Sequence, residues 1–166
     1  MNVYVHVGME SVQSAAKFVS ELARMEGVKG ILAIPPVFFK PLSIDDLVDA
    51  MAIVAGGAPH LPFWYYHIPA YTGVYFNMYQ YLKAVDASGK IPNFMGVKFT
   101  YETLSDFNAM GHYKNGKYNM IGGRDEMYTS FLATGVCDAD ISTSVNYLTF
   151  NLDAAKAWNE GDFKKA

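Results

Sequence analysis

The sequence predicts an α/β fold built on a parallel sheet and, among parallel architectures, a (β/α)8 barrel. Three observations carry this reading. Strand-like and helix-like segments alternate from end to end, with no hairpin signal between them. The strands are continuous apolar runs rather than two-residue alternations, as expected where both faces are buried. Polar and reactive residues fall just after five different strand ends: Pro36 to Lys40, Tyr66-His67, Lys98 to Thr100, Gly123 to Glu126 and Thr143-Ser144. A barrel mouth draws its groups from many strands in this way, whereas a doubly wound sheet gathers them at one switch point.

The elements follow in order. Tyr4 to Val7 is a short strand ending at Gly8. Val12, Ala15, Ala16, Val19, Leu22 and Ala23 then recur at helical spacing up to Gly27. Val28 to Ile34 is an apolar strand closed by Pro35-Pro36. Ser43 offers an N-cap oxygen to a helix whose stripe is Leu47, Ala50, Met51 and Val54, ending at Gly56-Gly57. Leu61 to Ile68 is an aromatic strand stopped by Pro69. Phe76 to Val85 reads as helix, Phe94 to Phe99 as strand and Thr103 to Met110 as helix. Tyr118 to Ile121 is a strand, Asp125 to Ala133 a helix, Asp140 to Ser142 a short strand, and Leu152 to Trp158 a final helix before Gly161.

Composition narrows the function. The chain has 166 residues, 51% of them hydrophobic, with 13 Lys and Arg against 16 Asp and Glu for a formal charge of -3. No basic run is present to neutralise phosphates, so nucleic-acid binding has no electrostatic support. Neither a signal peptide nor an apolar run of the roughly 18 residues a membrane span needs is visible, and Cys137 has no second cysteine to pair with. A soluble protein of a reducing, cytoplasmic compartment is expected, without membrane or nucleic-acid partners. The length suits one domain on a prior of about 100–200 residues. Neither GxGxxG nor GxxxxGK[ST] occurs, which removes the usual nucleotide cradles.

Lys98 stands inside the apolar run Gly96-Val97-Lys98-Phe99-Thr100. Burying an ammonium disfavours its charged form, and an amine so placed becomes a nucleophile able to form a Schiff base with a carbonyl. Taken by itself, the plainer reading is a strand-end lysine that snorkels out to water. Tyr66, in Trp64-Tyr65-Tyr66-His67-Ile68-Pro69, is either a proton-relaying phenol or a packed aromatic. His67 reads as a turn histidine rather than a metal ligand, since the four His are scattered singly and no metal set forms. Asp125 and Glu126 after Gly122-Gly123 are dipole complements of a first helical turn, or acceptors for the hydroxyls of a polyol, with Ser142, Thr143 and Ser144 able to contribute.

Taken together these segments resemble the dihydrodipicolinate synthase and N-acetylneuraminate lyase superfamily, and within it the N-acetylneuraminate lyase branch. Tyr66-His67-Ile68-Pro69-Ala70-Tyr71-Thr72-Gly73 is similar to the family's Y-x-[IV]-P-A-x-[ST]-G. Gly96-Val97-Lys98-Phe99-Thr100 is similar to G-[LIV]-K-x-[ST], at close to the family's interval from the tyrosine. Gly123-Arg124-Asp125-Glu126 resembles G-x-D-E, and Phe38-Phe39-Lys40-Pro41 after Pro35-Pro36 fits P-x-[FY]-x-K-P. The resemblance covers essentially the whole chain in matching order. Tyr71 stands where the synthases place an arginine, Phe38 where many of them place a tyrosine, and Asp138 to Asn146 lacks the usual glycines.

The resemblance implies a cofactor-free lyase that cleaves a 2-keto-3-deoxy sugar acid such as sialic acid to pyruvate and an aldehyde sugar. Lys98 would be the Schiff-base nucleophile and Tyr66 the proton relay. Thr100 would orient the substrate, and Gly123, Asp125, Glu126 and Thr143 would contact the sugar. A homotetramer is the family's usual assembly. The family's first two βα units, its G-[ST]-T-G-E carboxylate grip and its C-terminal helices have no counterpart in these 166 residues. The chain is therefore expected to be an incomplete TIM barrel, about strands 3 to 8, with weak or no activity alone. The alternatives are a non-catalytic fragment or sugar-binding remnant, and a pyruvate-dependent lyase or synthase acting on another aldehyde.

Overall fold

A computed structural model describes residues 2–143 and 148–166. Six parallel strands, β1 (Val3–His6), β2 (Val28–Ala33), β3 (Phe63–His67), β4 (Phe94–Phe99), β5 (Asn119–Gly122) and β6 (Ala139–Asp140), pair in the order of the chain. The helices between and after them are α1 (Val12–Leu22), α2 (Ile44–Gly56), α3 (Pro69–Thr72), α4 (Met78–Ser88), α5 (Leu104–Gly111), α6 (Tyr128–Ala133) and α7 (Leu148–Asn159). Sequential strand order has no switch point, so the doubly wound alternative falls and the barrel-type winding stands.

The sheet is curled. In a flat sheet the two edge strands of six would stand about 24 Å apart. Here Tyr4 of β1 and Ala139 of β6 line one cavity of about 250 Å³, together with Leu32, Trp64, Asn119, Ile121 and Ile141. The pleat gives the curled sheet two distinct faces. Ile31, Ala33, Phe63, Tyr65, Val97, Phe99 and Met120 point outward and are fully buried against the helices, where Ala15, Val19, Leu47, Met51 and Tyr81 meet them.

On the concave face, the register runs His6 to Leu32, Leu32 to Trp64, Trp64 to Gly96 and Gly96 to Asn119. Tyr4, Trp64 and Asn119 of the odd strands are accommodated by Gly30 and Gly96 of the even ones, while β2 also sends Leu32 to this face. The Tyr4 and Trp64 rings meet edge to face at 5.6 Å, and Trp64 Nε1 donates to Asn119 Oδ1 at 3.0 Å. A Cβ on Gly30 would come within 2.7 Å of both Tyr4 and Trp64, and one on Gly96 within 1.8 Å of the Asn119 carbonyl oxygen. Layers filled by alternate strands are the interior packing of a (β/α)8 barrel.

Several element bounds differ from those the sequence predicts. α4 begins at Met78 rather than Phe76 because Asn77 Oδ1 accepts from Gln80 N at 2.9 Å and caps it. Pro69 does more than end β3; it opens the one-turn α3, where its missing N–H costs nothing. Asp125–Met127 is a 3-10 turn ahead of α6 rather than part of it, and β6 is Ala139–Asp140 rather than Asp140 to Ser142. α7 starts at Leu148, earlier than Leu152. No helix among the described residues is long and apolar enough to cross a membrane.

Asp106 of α5 fastens the helix layer. It is buried, and its carboxylate accepts from Met78 N at 2.8 Å, Tyr79 N at 3.1 Å and Asn77 Nδ2 at 3.0 Å, so one helix supplies the anion for the start of another. Asp106→Ala leaves these donors unmet and is expected to lower stability by about 2–3 kcal/mol in urea denaturation, with Asp106→Asn losing less.

Candidate active site

The alternation of β4 decides where Lys98 points. Val97 and Phe99 are fully buried on the helix side, so Lys98 projects to the concave face, where it is 8% exposed. It does not snorkel outward. Its register partners are Tyr66 and Ile121, and its Nζ lies 3.9 Å from the centroid of the Tyr66 ring. The two residues that carry the strongest chemistry in the sequence are thus in contact.

Toward the C-terminal ends of the strands a cleft of about 370 Å³ is lined by Ile68, Ala70, Tyr71, Thr100, Gly123, Arg124, Glu126 and Ser142. Thr100 N continues the ladder by donating to His67 O at 2.8 Å. The Thr100 and Ser142 hydroxyls both donate to the Gly123 carbonyl, at 3.3 and 3.2 Å, tying three strand ends together. Asp125 turns to its neighbour: its Oδ2 accepts from Thr143 N at 3.0 Å and Thr143 Oγ1 at 2.6 Å. Thr100, Gly123 and Glu126 therefore share the cleft, Asp125 and Thr143 form a pair beside it, and Lys98 with Tyr66 lies deeper on β4 and β3. Ser144 lies outside the described residues.

Three residues that the sequence reading did not single out belong to this region. Arg124 spans the rim, pairing with Glu102 and donating from Nε to Glu126 Oε1 at 2.9 Å. Glu126 is held below the ordinary carboxylate range by its own backbone N–H and by that guanidinium. His6 sits on the concave face of β1 with its ring 6.0 Å from that of Tyr66. Asp140, at the end of β6, is half-buried and pushed up to about 6 by burial, with the Asp125 carboxylate adding to the shift and Lys98 opposing it. Signals existed for His6, a polar residue in phase with inward Tyr4, and for Arg124, adjacent to two carboxylates. Asp140 had none, because its perturbation comes from burial and from Asp125 and Lys98, which only the fold brings near it.

His67 is not a turn histidine. It is buried on the outer face, stacked on Phe99 at 5.3 Å with Tyr101 edge-on at 5.8 Å, and burial pushes it down to about 4. The alternation that turns Tyr66 inward turns His67 into the apolar layer. Among the described residues no group of three or more His, Cys, Asp or Glu could hold a metal ion.

Residues 1–166 match the dihydrodipicolinate synthetase family. N-acetylneuraminate lyase A of Xenopus laevis is 38% identical over 99% of this chain and 53% of its own length, and the human N-acetylneuraminate lyase is 34% identical over 99% and 51%. The structure of Proteus mirabilis N-acetylneuraminate lyase superposes with a TM-score of 0.91 at 29% identity, covering 99% of this chain and 55% of that one. The chain spans about half the length of the curated relatives it matches.

His67 and Asp140 pull stability in opposite directions over one pH window. His67 binds its proton more weakly folded, at about 4 against an ordinary 6.5, so stability rises as pH climbs through that interval. Asp140 binds its proton more tightly folded, at about 6 against 3.8, so stability falls over nearly the same interval. Asp140→Asn removes the falling contribution. Discounted for partial exposure, the variant is expected to be about 1 kcal/mol more stable than the parent at pH 7 and equal to it near pH 4, as read from chemical denaturation at the two pH values.

Proposed function

Because this chain belongs to the dihydrodipicolinate synthetase family, matched along all of residues 1–166, we propose that it carries the Schiff-base machinery of a carbon–carbon lyase acting on sialic acid or a related 2-keto-3-deoxy sugar acid. The observation that supports it is the contact of buried Lys98 with Tyr66 beneath a hydroxyl-lined cleft. The curated relatives named above favour the lyase branch. So does Tyr71, a phenol in the cleft where the synthase pattern has a guanidinium.

On this reading Lys98 Nζ attacks the C2 keto carbon of the open-chain sugar acid, and loss of water leaves an iminium that withdraws electrons from the C3–C4 bond. Tyr66 takes the proton of the C4 hydroxyl as that bond breaks, releasing the aldehyde sugar and leaving the enamine of pyruvate. The enamine regains a proton at C3, water hydrolyses the resulting iminium, and pyruvate leaves. The iminium is itself the electron sink, so the cycle calls for no cofactor. Thr100 orients the bound acid, and Gly123, Glu126, Asp125 and Thr143 meet the hydroxyls of the sugar half.

The six strands then correspond to strands 3 to 8 of an eight-stranded barrel. None of them carries the G-[ST]-T-G-E grip for the pyruvate carboxylate. Without that grip the keto acid is poorly oriented, so these 166 residues alone are expected to be weak catalysts. Exposed Phe38 and Phe39, on a loop whose Val37 and Phe38 N–H groups are held by the Glu10 carboxylate, support a homo-oligomer of the kind usual in the family.

Incubation with pyruvate and borohydride followed by peptide mass spectrometry tests the reading. The expected outcome is reductive tagging of Lys98, lost in Lys98→Arg. An untouched Lys98 in the parent chain would contradict the covalent mechanism and favour the sugar-binding remnant.

A further inference from the structure

On the concave face the Tyr66 ring is flanked by two nitrogen groups from different strands. Lys98 Nζ of β4 lies 3.9 Å from its centroid, and the His6 imidazole of β1 stands at 89° to it with 6.0 Å between centroids. Between β1 and β3 runs β2, whose Leu32 is the register partner of His6, so the imidazole reaches Tyr66 across an intervening strand. Its seat is built. A Cβ on Gly8 would come within 2.9 Å of His6 Cε1, 3.0 Å of Nε2 and 2.7 Å of Ile34 Cγ1, so the absence of a side chain there is what leaves room for the ring.

His6 lies between Val5, packed against the core, and buried Val7, so the alternation of β1 turns it away from the apolar layer and its placement is not explained by packing there. His6 is exposed to solvent on the concave face, and partial desolvation together with the nearby Lys98 charge lowers its affinity for a proton.

We infer that His6 is a positioning residue for the Schiff-base pair: its ring, in edge contact with Tyr66, fixes the phenol against Lys98 Nζ. This rests on the Schiff-base reading. A tyrosine on the open side of a sheet has rotamer freedom, and an edge-to-face partner biases it toward one arrangement by roughly two- to tenfold. On the Schiff-base reading the phenol assists the proton transfers by which a ketone's adduct with Lys98 sheds water, whereas the far more electrophilic formaldehyde reacts without that help.

The test compares the parent chain, His6→Ala and His6→Phe, the last restoring an aromatic edge without a titratable group. Each is labelled at Lys98 with borohydride and either pyruvate or formaldehyde, with melting temperatures measured alongside. The expected result is pyruvate labelling roughly fivefold slower in His6→Ala and restored in His6→Phe, with formaldehyde labelling unchanged in both. Where His6→Ala lowers the melting temperature, His6→Leu, which fills the seat without an aromatic edge, is read in its place and is expected to be as slow. Parental pyruvate labelling in the Ala or Leu variant, or a His6→Phe variant as slow as they are, would overturn the inference. If formaldehyde reaches Lys98 of the parent chain and pyruvate does not, the Schiff-base reading fails, and the inference falls with it for that separate reason.

Discussion

The pleat of β4 is the constraint on which the candidate site depends. Val97 and Phe99 are locked at zero exposure between the sheet and its helices, and Lys98 lies between them in sequence. A slip of one residue would drive an ammonium into the apolar layer and bring two large hydrophobes onto the concave face, so the register is specified by the core itself. The lysine is held inward by its neighbours' burial, and through β3–β4 pairing the same register sets Tyr66 beside it.

The concave face is assembled from unlike strands by a size rule. Tyr4 and Trp64 occupy space that Gly30 leaves open, and the Trp64 indole reaches Asn119 across Gly96. Below the mouth this layer is aromatic and apolar; above it the groups become hydroxyls and carboxylates. Lys98 stands at the transition, between an apolar floor that disfavours water and a polar cleft open to it. Such a boundary suits a nucleophile whose substrate has a reactive carbonyl at one end and a hydroxylated chain at the other.

At the rim, charges fasten loops. Arg124 bridges the β4–α5 connection, through Glu102, to the turn after β5, through Glu126, while Asp125 holds the backbone and hydroxyl of Thr143 after β6. Being exposed to solvent, the ion pairs add little to stability. Their consequence is positional: the acidic pair following Gly123 is divided, with Glu126 facing the cleft and Asp125 facing the β6–α7 side. Two adjacent carboxylates that look equivalent in sequence thus have different duties.

Much of this was legible in the sequence. Apolar strands, capped amphipathic helices and polar residues at successive strand ends sufficed for a parallel, barrel-type sheet, because each depends on local periodicity and on side-chain chemistry that a strand or helix expresses wherever it is placed. The inward lysine and tyrosine were readable as candidates for the same reason. What tertiary structure alone could resolve was adjacency and side. His67 lies next to Tyr66 in the chain and on the opposite face of the sheet; His6 is far from Tyr66 in the chain and in ring contact with it; Asp140 becomes a perturbed carboxyl only once the fold buries it near Asp125. Burial and cross-strand contact are properties of the curled sheet as a whole, and no window of consecutive residues contains them.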